Sequence, residues 1–497
     1  MDIITALLVS TAVGVLAWGF YRARLLGRLG ILAWLQSVVL FAPWLLTFSL
    51  VAAGITINAV STLFLLLISI VIYVILGNRL RIAASQEAAL SQPSKAMDEP
   101  AYQDDTESAS SEPSGEEPAQ LTQKAQLLSM PEADLKLIRG VFGFDTFFVT
   151  ETIPYQEGAI FKGNLRGEPE AVYAQLSHSL QAQLAEQYRL FLVEDQDGKP
   201  VVIVLPSRND PQQTTLTQKV SAGLFLLLTL FTSLEASALL QHFDVLEAPS
   251  RWLEALPISV GLLSTLAIHE LGHWLLARRH QVRLSPPFLI PAWQIGSFGA
   301  ITQFKSLLPN RKVLFDVALA GPAAGGILSL GLLLIGLLLS QPNSLFQIPT
   351  PFFQGSILVG TLARVVLGSA LQQPLVSVHP LVVVGWLGLV ITALNLMPAG
   401  RLDGGRIMQA IYGRKVAGRA TAATLILLAI ASLANPLALY WAVVILFLQR
   451  EPERPSLNEL SEPDDARAAL GLLALFLMVA TLLPLTPAIA GRLGIGG

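Results

Sequence analysis

The sequence predicts a polytopic α-helical membrane protein with about ten spans and a small cytoplasmic α/β domain inserted between them. Of the 497 residues, 53% are hydrophobic and only 13% are charged. The mean hydropathy is +0.58, which is typical of membrane proteins and not of soluble domains. Basic residues flank several of the apolar runs, and the positive-inside rule places those flanks in the cytoplasm.

The composition also excludes several kinds of site and partner. The chain has no cysteine, so it forms no disulfide, and any metal ion must be held by His, Asp or Glu. Its net charge of −3 gives no reason to expect a nucleic-acid partner. The lipid bilayer is the first partner that the composition predicts.

The first 124 residues are predicted to anchor and tether the chain. Residues 1–81 contain three apolar runs that carry no catalytic residue types, so we expect plain membrane helices. The first run lacks a basic leader and a cleavage site, which favours a retained helix over a signal or transit peptide. Residues 82–124 are rich in Pro, Ser, Glu and Asp and predict a disordered acidic linker.

Residues 125–212 have the pattern of a small soluble α/β domain. Apolar residues recur at helical spacing in 131–142 and 169–188, and two strand-like runs follow, joined by a turn at Asp197. The stretch 163–167 predicts either a tight turn that presents Arg166 or an ordinary loop. We expect His178 to be a surface residue of the second helix.

One membrane-length run, residues 256–278, carries the side chains best suited to catalysis. It contains His269, Glu270 and His273, an H-E-x-x-H motif in the half nearer a basic flank. Residues four apart lie on one face of a helix, so both imidazoles can reach one ion. Ionisable side chains within lipid are rare and usually functional, which favours a Zn2+ site over a chance match. Glu270 is then placed to act on water beside the metal.

A catalytic zinc ion needs three protein ligands and one open position. Between the motif and residue 450 the chain holds only two acidic residues, Asp316 and Asp403. Asp316 is expected to cap the start of a helix. Asp403 lies in a glycine-rich break on the same side as the histidines, so we predict it as the third ligand. His280, in the basic flank, and His379, on the outer side, are weaker candidates.

Breaks in the apolar pattern predict where substrate and water reach the site. Residues 285–304 contain three prolines and two glycines and favour a short extended element over a spanning helix. Unless the stretch is a surface loop, we expect an edge strand there to pair with an extended substrate. The candidate substrate-binding residues are Gly296, Ser297, Phe298 and Gly299. Asn395 either hydrogen-bonds substrate or the developing oxyanion, or is a packing amide.

Three later stretches complete the predicted architecture of the membrane part, residues 213–450. The small residues at 321–326 predict close helix packing within the span 315–339. Residues 355–371 are either an amphipathic helix or a re-entrant piece, and residues 421–448 are either a hairpin or one kinked helix. Residues 451–497 read as a polar linker followed by a final membrane helix.

Two motifs resemble those of the site-2 protease family of intramembrane zinc metalloproteases. H-E-L-G-H at 269–273 matches the first motif, and N-x-x-P-x-x-x-x-D-G from Asn395 to Gly404 matches the second. The resemblance implies zinc bound by both histidines and Asp403, with Glu270 catalytic. It also implies a three-span core, which here corresponds to the runs 256–278, 315–339 and 381–397.

Three shorter stretches, 163–167, 296–300 and 321–326, resemble the EGY-like subgroup of chloroplasts and cyanobacteria. Together with the predicted N-terminal helices, they favour a plasma or thylakoid membrane of a cyanobacterial-type cell. The expected substrate is the transmembrane segment of a tethered regulator, cut by regulated intramembrane proteolysis. The alternatives are a metal-ion transporter that uses the intramembrane His and Asp, or an inactive scaffold. A transporter has no need for Glu270, and the sequence shows no internal repeat.

Overall fold

The structure is a computed structural model that describes residues 17–24, 27–52, 130–155, 157–195, 197–293, 295–433, 435–446 and 451–496, with eight scattered positions from 65 to 80. By its contacts the chain divides into two units, Met1–Ser114 with Leu433–Pro436, and Gly115–Ser432 with Leu437–Gly497. The predicted acidic linker and most of the first and third apolar runs lie outside the described residues.

In the first unit, helix α1 (Gly27–Ala52) corresponds to the second predicted apolar run. Its Gln36 side chain donates a hydrogen bond of 3.3 Å to the Tyr73 carbonyl. The Ser69 hydroxyl donates to the carbonyl of Val39. These bonds tie α1 to the helical positions between 65 and 80, and the anchoring role of this unit stays a prediction.

The second unit begins with a four-stranded antiparallel sheet of strand order β1-β2-β4-β3. Its elements in chain order are α2 (Glu132–Val141), β1 (Phe147–Tyr155), β2 (Gly158–Leu165), α3 (Pro169–Leu184), β3 (Tyr188–Glu194) and β4 (Pro200–Pro206). Apolar side chains of both helices pack with those of the strands into one buried core, which includes Ile138, Phe161, Leu176 and Val202. The two predicted helices and two predicted strands are observed, whereas the sequence pattern did not reveal β1 and β2.

The stretch 163–167 is neither a tight turn nor a loop for most of its length. Gly163 pairs with Val149 inside the β1–β2 ladder, and a Cβ on Gly163 would lie 2.2 Å from the Phe148 carbonyl oxygen. The prediction was wrong because β1, the strand that requires this close approach, was not recognised. Arg166 follows β2 and stacks over the ring of Phe144 at 5.7 Å. His178 is an exposed residue of α3, as predicted.

The remaining α-helices longer than four residues, in chain order, are α4 (Leu216–Leu239), α5 (Trp252–Arg279), α6 (Arg311–Leu339), α7 (Ile357–Leu367), α8 (Pro380–Asn395), α9 (Asp403–Ala431), α10 (Pro436–Val444), α11 (Asp465–Leu482) and α12 (Pro487–Arg492). One β-hairpin lies among them, formed by β5 (Phe288–Ala292) and β6 (Gly296–Ile301). Strands β7 (Phe346–Pro349) and β8 (Leu375–Val378) form a separate antiparallel pair, with α7 between them in the chain. Within the described ranges, α4, α5, α6 and α11 are long and apolar enough to cross a membrane. A count of about ten spans goes beyond these four helices.

Helix α8 is short but lies in the centre of the helix bundle. Its 16 residues span about 24 Å, less than the ~30 Å hydrocarbon core. It packs against α5, α6 and α11, and a Cβ on Gly385 would lie 2.3 Å from the backbone nitrogen of Leu333 on α6. Because neighbouring helices surround α8, its apolar side chains are covered largely by protein.

The extended element predicted in 285–304 is the β5–β6 hairpin, and α4 packs against both of its strands. The Thr232 hydroxyl of α4 donates to the Gly296 carbonyl at 2.6 Å. Backbone polar groups at membrane depth need such partners, and the hairpin finds them within the protein.

The two stretches that the sequence left open also take defined forms. Helix α7 buries Val359 and Ala363 and exposes Val365, which matches the amphipathic alternative for 355–371. Between 421 and 448 the chain forms two helices, because α9 ends at Ala431 and α10 begins at Pro436. Helix α9 also contains a break at Gly413, where φ is 78°.

Residues 453–461, the bridging segment, connect the soluble domain to the membrane helices. On one side the segment pairs with edge strand β3, where the Leu192 N–H donates to the Leu457 carbonyl at 2.8 Å. On the other side the Leu457 N–H donates to the Leu308 carbonyl at 2.8 Å, just before α6. The Asn458 amide adds a bond of 3.2 Å to the Pro169 carbonyl at the start of α3. The soluble domain is therefore hydrogen-bonded to the end of the bundle where α6 begins.

Candidate metal centre

The predicted ligands come together from two helices that are far apart in the chain. Helix α5 carries His269 and His273 one turn apart, and Asp403 is the first residue of α9. All three side chains are buried, with residue exposures of 6%, 4% and 6%. Asp403 and His269 are 134 positions apart, so the chain between them must fold before the site exists.

The three ligand atoms form a nearly equilateral triangle. The His269 Nε2 lies 3.2 Å from the Asp403 Oδ2 and 3.2 Å from the His273 Nε2. The third side, from the His273 Nε2 to the same Asp403 oxygen, is 3.3 Å. Two ligands of a tetrahedral zinc ion at about 2.0–2.1 Å are about 3.3 Å apart, so the spacing fits zinc. Hydrogen bonds alone explain the three distances less well. One proton between the two ring nitrogens bridges only one side of the triangle and cannot account for all three short distances.

The orientation of His273 is fixed from its other ring nitrogen. Its Nδ1 lies 2.7 Å from the carbonyl oxygen of Val317 on α6, which suits an N–H donor there. That tautomer leaves Nε2 with its lone pair directed at the triangle. A backbone carbonyl in this position is a usual partner of a metal-ligating histidine.

Small residues at the α5–α6 crossing make room for the imidazoles. A Cβ on Gly321 would lie 2.2 Å from the His273 Nε2, and one on Gly325 would lie 3.0 Å from the His269 Cβ. On α5, a Cβ on Gly272 would meet the Ala320 carbonyl at 2.4 Å. The predicted close packing at 321–326 is therefore the contact between α6 and the histidine rings.

Glu270 lies beside the triangle and is held by the hairpin strand. The Thr302 hydroxyl, just past β6, donates to the Glu270 Oε2 at 2.8 Å. A carboxylate oxygen of Glu270 and one ring nitrogen from each histidine also lie within 4.8 Å of one another. These distances are longer than the sides of the triangle formed with Asp403. Glu270 is therefore better placed to act beside the metal than to bind it.

Arg406 is a further residue of the centre that the sequence analysis missed. Its Nη2 donates to the Thr302 carbonyl at 2.6 Å, and its Nη1 lies 3.8 Å from the Asp403 Oδ1. Glu453 of the bridging segment pairs with the same guanidinium at 3.0 Å. Arg406 thus joins the third ligand to the residue that holds Glu270. Because Arg406 follows Asp403 by one helical turn, the sequence could have indicated that the two side chains are neighbours. Nothing in the sequence indicated a role for Glu453.

Asn395 and Glu270 face a shared, nearly closed cavity of about 10 Å³. A cavity of this volume is about large enough for one water molecule. Ala300, Ile301 and Thr302 form one of its walls. The Asn395 amide nitrogen donates to the carbonyl of Ile391 at 2.9 Å and to that of Phe298 at 3.4 Å. In this state Asn395 is a packing amide that joins α8 to β6.

The four candidate substrate-binding residues form the start of β6. Gly296 and Gly299 have φ of 83° and 107°, and a Cβ on Gly299 would lie 2.3 Å from the Asn395 amide nitrogen. The Ser297 hydroxyl donates to the Ile290 carbonyl at 3.0 Å across the hairpin. Phe298 is buried and stacks on Tyr440 with ring centroids 4.8 Å apart. The Ser297 side chain therefore bonds within the hairpin and that of Phe298 packs against α10, so contacts to a substrate would come from the main chain.

The weaker ligand candidates take part in interactions away from the triangle. Asp316 does not cap α6, because the N-cap is Asn310, whose side chain accepts the N–H of Val313 in the first turn at 3.0 Å. Asp316 instead accepts from Arg467 at 2.7 and 3.0 Å, and His280 lies 3.3 Å from the same carboxylate. The capping prediction was wrong because the arginine that pairs with Asp316 is on the last membrane helix.

His379 and Glu235 also have local roles. His379 is the N-cap of α8, at the end opposite Asn395, and its Nδ1 accepts the Leu381 N–H at 3.3 Å. The buried Glu235 accepts the N–H of Val245 at 3.2 Å, in the loop after α4. Glu235 therefore binds the loop at that end of α4 and contributes no atom to the triangle.

Comparisons with known proteins relate the chain to metalloproteases. Peptidase family M50 matches residues 257–434, and a domain described as EGY3 middle domain matches residues 136–213. The probable zinc metalloprotease EGY2, chloroplastic, of Arabidopsis thaliana is 42% identical over 76% of this chain and 69% of its own. The probable zinc metalloprotease EGY1, chloroplastic, of the same plant is 41% identical over 73% of each chain.

More distant relatives have the same description. The probable zinc metalloprotease EGY3, chloroplastic, of Oryza sativa subsp. indica is 30% identical over 73% of this chain and 67% of its own. No solved structure matches the chain significantly. The relatives support zinc as the cofactor and give no support to the metal-transporter alternative.

The glycine contact with His273 predicts that Gly321→Ala removes zinc from the purified protein. The added methyl would overlap the ligand nitrogen, so we expect zinc affinity to fall by at least the ~10–100-fold typical of disturbed orienting contacts. Gly331→Ala, on the same helix with nothing within 4 Å of the new Cβ, is the matched control. Equal zinc content in the two variants, measured by mass spectrometry, would contradict this arrangement.

The triangle also predicts which aspartate holds the metal. Asp403→Ala should lower zinc affinity by more than about tenfold, because it removes one of three protein ligands. Asp316→Ala should keep its zinc, since Asp316 pairs with Arg467 and His280 instead. Zinc titration against a competing chelator compares the two variants, and greater loss in Asp316→Ala would refute the assignment.

Proposed function

The chain belongs to peptidase family M50, the site-2 proteases, and on that premise we propose that it cuts transmembrane segments of membrane-tethered proteins. It is a zinc metalloprotease with membrane-length apolar helices. The observation that carries the finer proposal is the buried triangle of His269, His273 and Asp403. Its place between apolar helices implies a substrate that is itself within the membrane.

The proposed metal ligands are the His269 and His273 Nε2 atoms and a carboxylate oxygen of Asp403. When bound, zinc supplies Lewis acidity that polarises a carbonyl and lowers the pKa of water to about 7. The chain's own contribution is to keep the His273 imidazole in the right tautomer, to position the ligands and to bury the site. The Val317 carbonyl, Gly321 and Arg406 serve these purposes.

Glu270 is the proposed general base. Its Oε2 accepts from Thr302, which fixes the carboxylate and leaves Oε1 to take a proton from the attacking water. The same carboxyl group then donates that proton to the leaving amine nitrogen of the cut peptide bond. Both transfers need a carboxylate that can be protonated, so glutamine cannot replace it.

The proposed substrate-binding element is β6, with Gly296, Ser297, Phe298 and Gly299 acting through their main chain. Within the described residues β6 pairs only with β5, so an extended segment can add to its other edge. The 3.4 Å bond from Asn395 to the Phe298 carbonyl is the longer of its two, and we propose that a substrate carbonyl replaces it. The nearly closed cavity requires the hairpin to shift when substrate enters.

We further propose that the soluble domain lies on the cytoplasmic side, in a protein of about ten spans. The bridging segment ties this domain to the start of α6, and α5 ends at that same face in Arg278 and Arg279. Under the positive-inside rule, that basic end is cytoplasmic. The proposed setting is a plasma or thylakoid membrane of a cyanobacterial-type cell, with a tethered regulator as substrate.

Glu270→Gln tests this function. We expect cleavage of a reporter transmembrane segment by the reconstituted protein to fall by about 10²–10⁴-fold, while bound zinc is retained. Glu254→Gln, an exposed pair with Arg251 near the other end of α5, should cleave like the parent. Undiminished cleavage by Glu270→Gln would exclude the proposed base. If the parent with full zinc cleaves no transmembrane reporter, the intramembrane function itself is wrong.

A further inference from the structure

A large pocket lies between the start of α4 and the end of α5, apart from the metal centre. Its volume is about 740 Å³, within the range of about 300–1,000 Å³ found for small-ligand sites. Four of its lining side chains are cationic, namely Lys219, Arg278, Arg283 and Lys305. No lining residue is acidic. The walls therefore combine four positive charges with no compensating negative charge.

Among the described residues, the pocket cations lack a charged partner. In the part of the chain that the structure describes, Lys219, Arg278 and Arg283 have no carboxylate within 4 Å, whereas Arg406, Lys312 and Arg467 each pair with one. Lys305 binds only a neutral partner, the Gln303 amide oxygen, at 3.2 Å. Arg278 lies over the ring of Trp274 at 5.2 Å. Like charges gathered in one concave site repel each other unless an anion binds between them.

The place of the pocket along its helices suits contact with lipid headgroups. Its two helices, α4 and α5, are long enough to span a membrane, and the pocket is at their shared end. Trp274 in its wall is the residue type that favours the membrane–water interface. On α5 the neighbouring Leu271 and Leu275 are exposed, which provides an apolar surface for acyl chains. Basic pockets between transmembrane helices are known to suit anionic headgroups.

We propose that this pocket binds the phosphodiester headgroup of an anionic membrane lipid. Arginine and lysine both bind phosphate oxygens, and the volume admits a headgroup in addition to the phosphate. A lipid source is favoured over free phosphate because the cationic side chain of Arg278 and the exposed leucines are close together on α5. Trp274 directly follows His273, so the lipid would contact the same helix that holds the metal ligands.

The test uses the full-length protein in a neutral detergent and measures its thermal midpoint with phosphatidylglycerol, phosphatidylcholine or inorganic phosphate. A ligand that binds the folded state raises the midpoint. We expect phosphatidylglycerol to raise it, and the other two additives at the same concentration to leave it unchanged. In Lys219→Gln/Arg278→Gln/Arg283→Gln the apparent affinity for phosphatidylglycerol should fall at least about tenfold, because three charge-assisted contacts are lost.

The matched control removes three charges from the exposed surface of the soluble domain, as Lys136→Gln/Arg139→Gln/Lys199→Gln. It should respond to phosphatidylglycerol like the parent. Zinc content checks that the pocket variant is folded. If that variant loses zinc, the milder pair Lys219→Gln/Arg283→Gln replaces it. An equal response of the pocket variant and the parent would overturn the proposal.

Two other outcomes would also overturn the lipid assignment. An equal shift with inorganic phosphate would show that the pocket takes a free anion. A shift with an acidic peptide, but none with phosphatidylglycerol, would identify a docking site for a protein segment. Neither outcome bears on whether Glu270 is the catalytic base, so the two proposals fail independently.

Discussion

The contact of Asp403 with the two histidines of α5 is the constraint on which the core of this protein depends. It brings together atoms from residues 134 positions apart, to within 3.2–3.3 Å, among apolar helices. Polar groups in such surroundings are costly unless they are paired or bind a metal. The tight crossing of α5 and α6, and the direct contact of Gly321 with His273, follow from the need to complete this site.

The same constraint reaches the soluble domain through a short series of bonds. Arg406 lies between Asp403 and the Thr302 carbonyl, and Glu453 neutralises its charge. Glu453 begins the bridging segment, which pairs with edge strand β3. The third ligand and the residue that holds the base are therefore connected to the soluble domain by hydrogen bonds and ion pairs. This connection gives the domain a structural route to the metal centre.

Local chemistry made some of these features predictable, and long-range pairing hid others. The spacing of His269, Glu270 and His273 identifies one helix face, and Asp403 was found because so few acidic residues remain in the membrane part. Strand β1 was missed because only Phe147 is buried in it, so its alternation is weak. Asp316 was misjudged because its partner Arg467 lies 151 positions away. Such partners are set by the tertiary fold and leave no local trace in the sequence.

X-ray absorption at the zinc edge of the purified, unmodified protein tests the proposed metal centre most directly. The chain has no cysteine, so all protein ligands must be nitrogen or oxygen. We predict about four ligands at about 2.0–2.1 Å, two of them imidazoles and two of them oxygens, as expected for two histidines, one aspartate and an open position taken by solvent. A shell with a single imidazole, or one of six oxygens, would contradict the account.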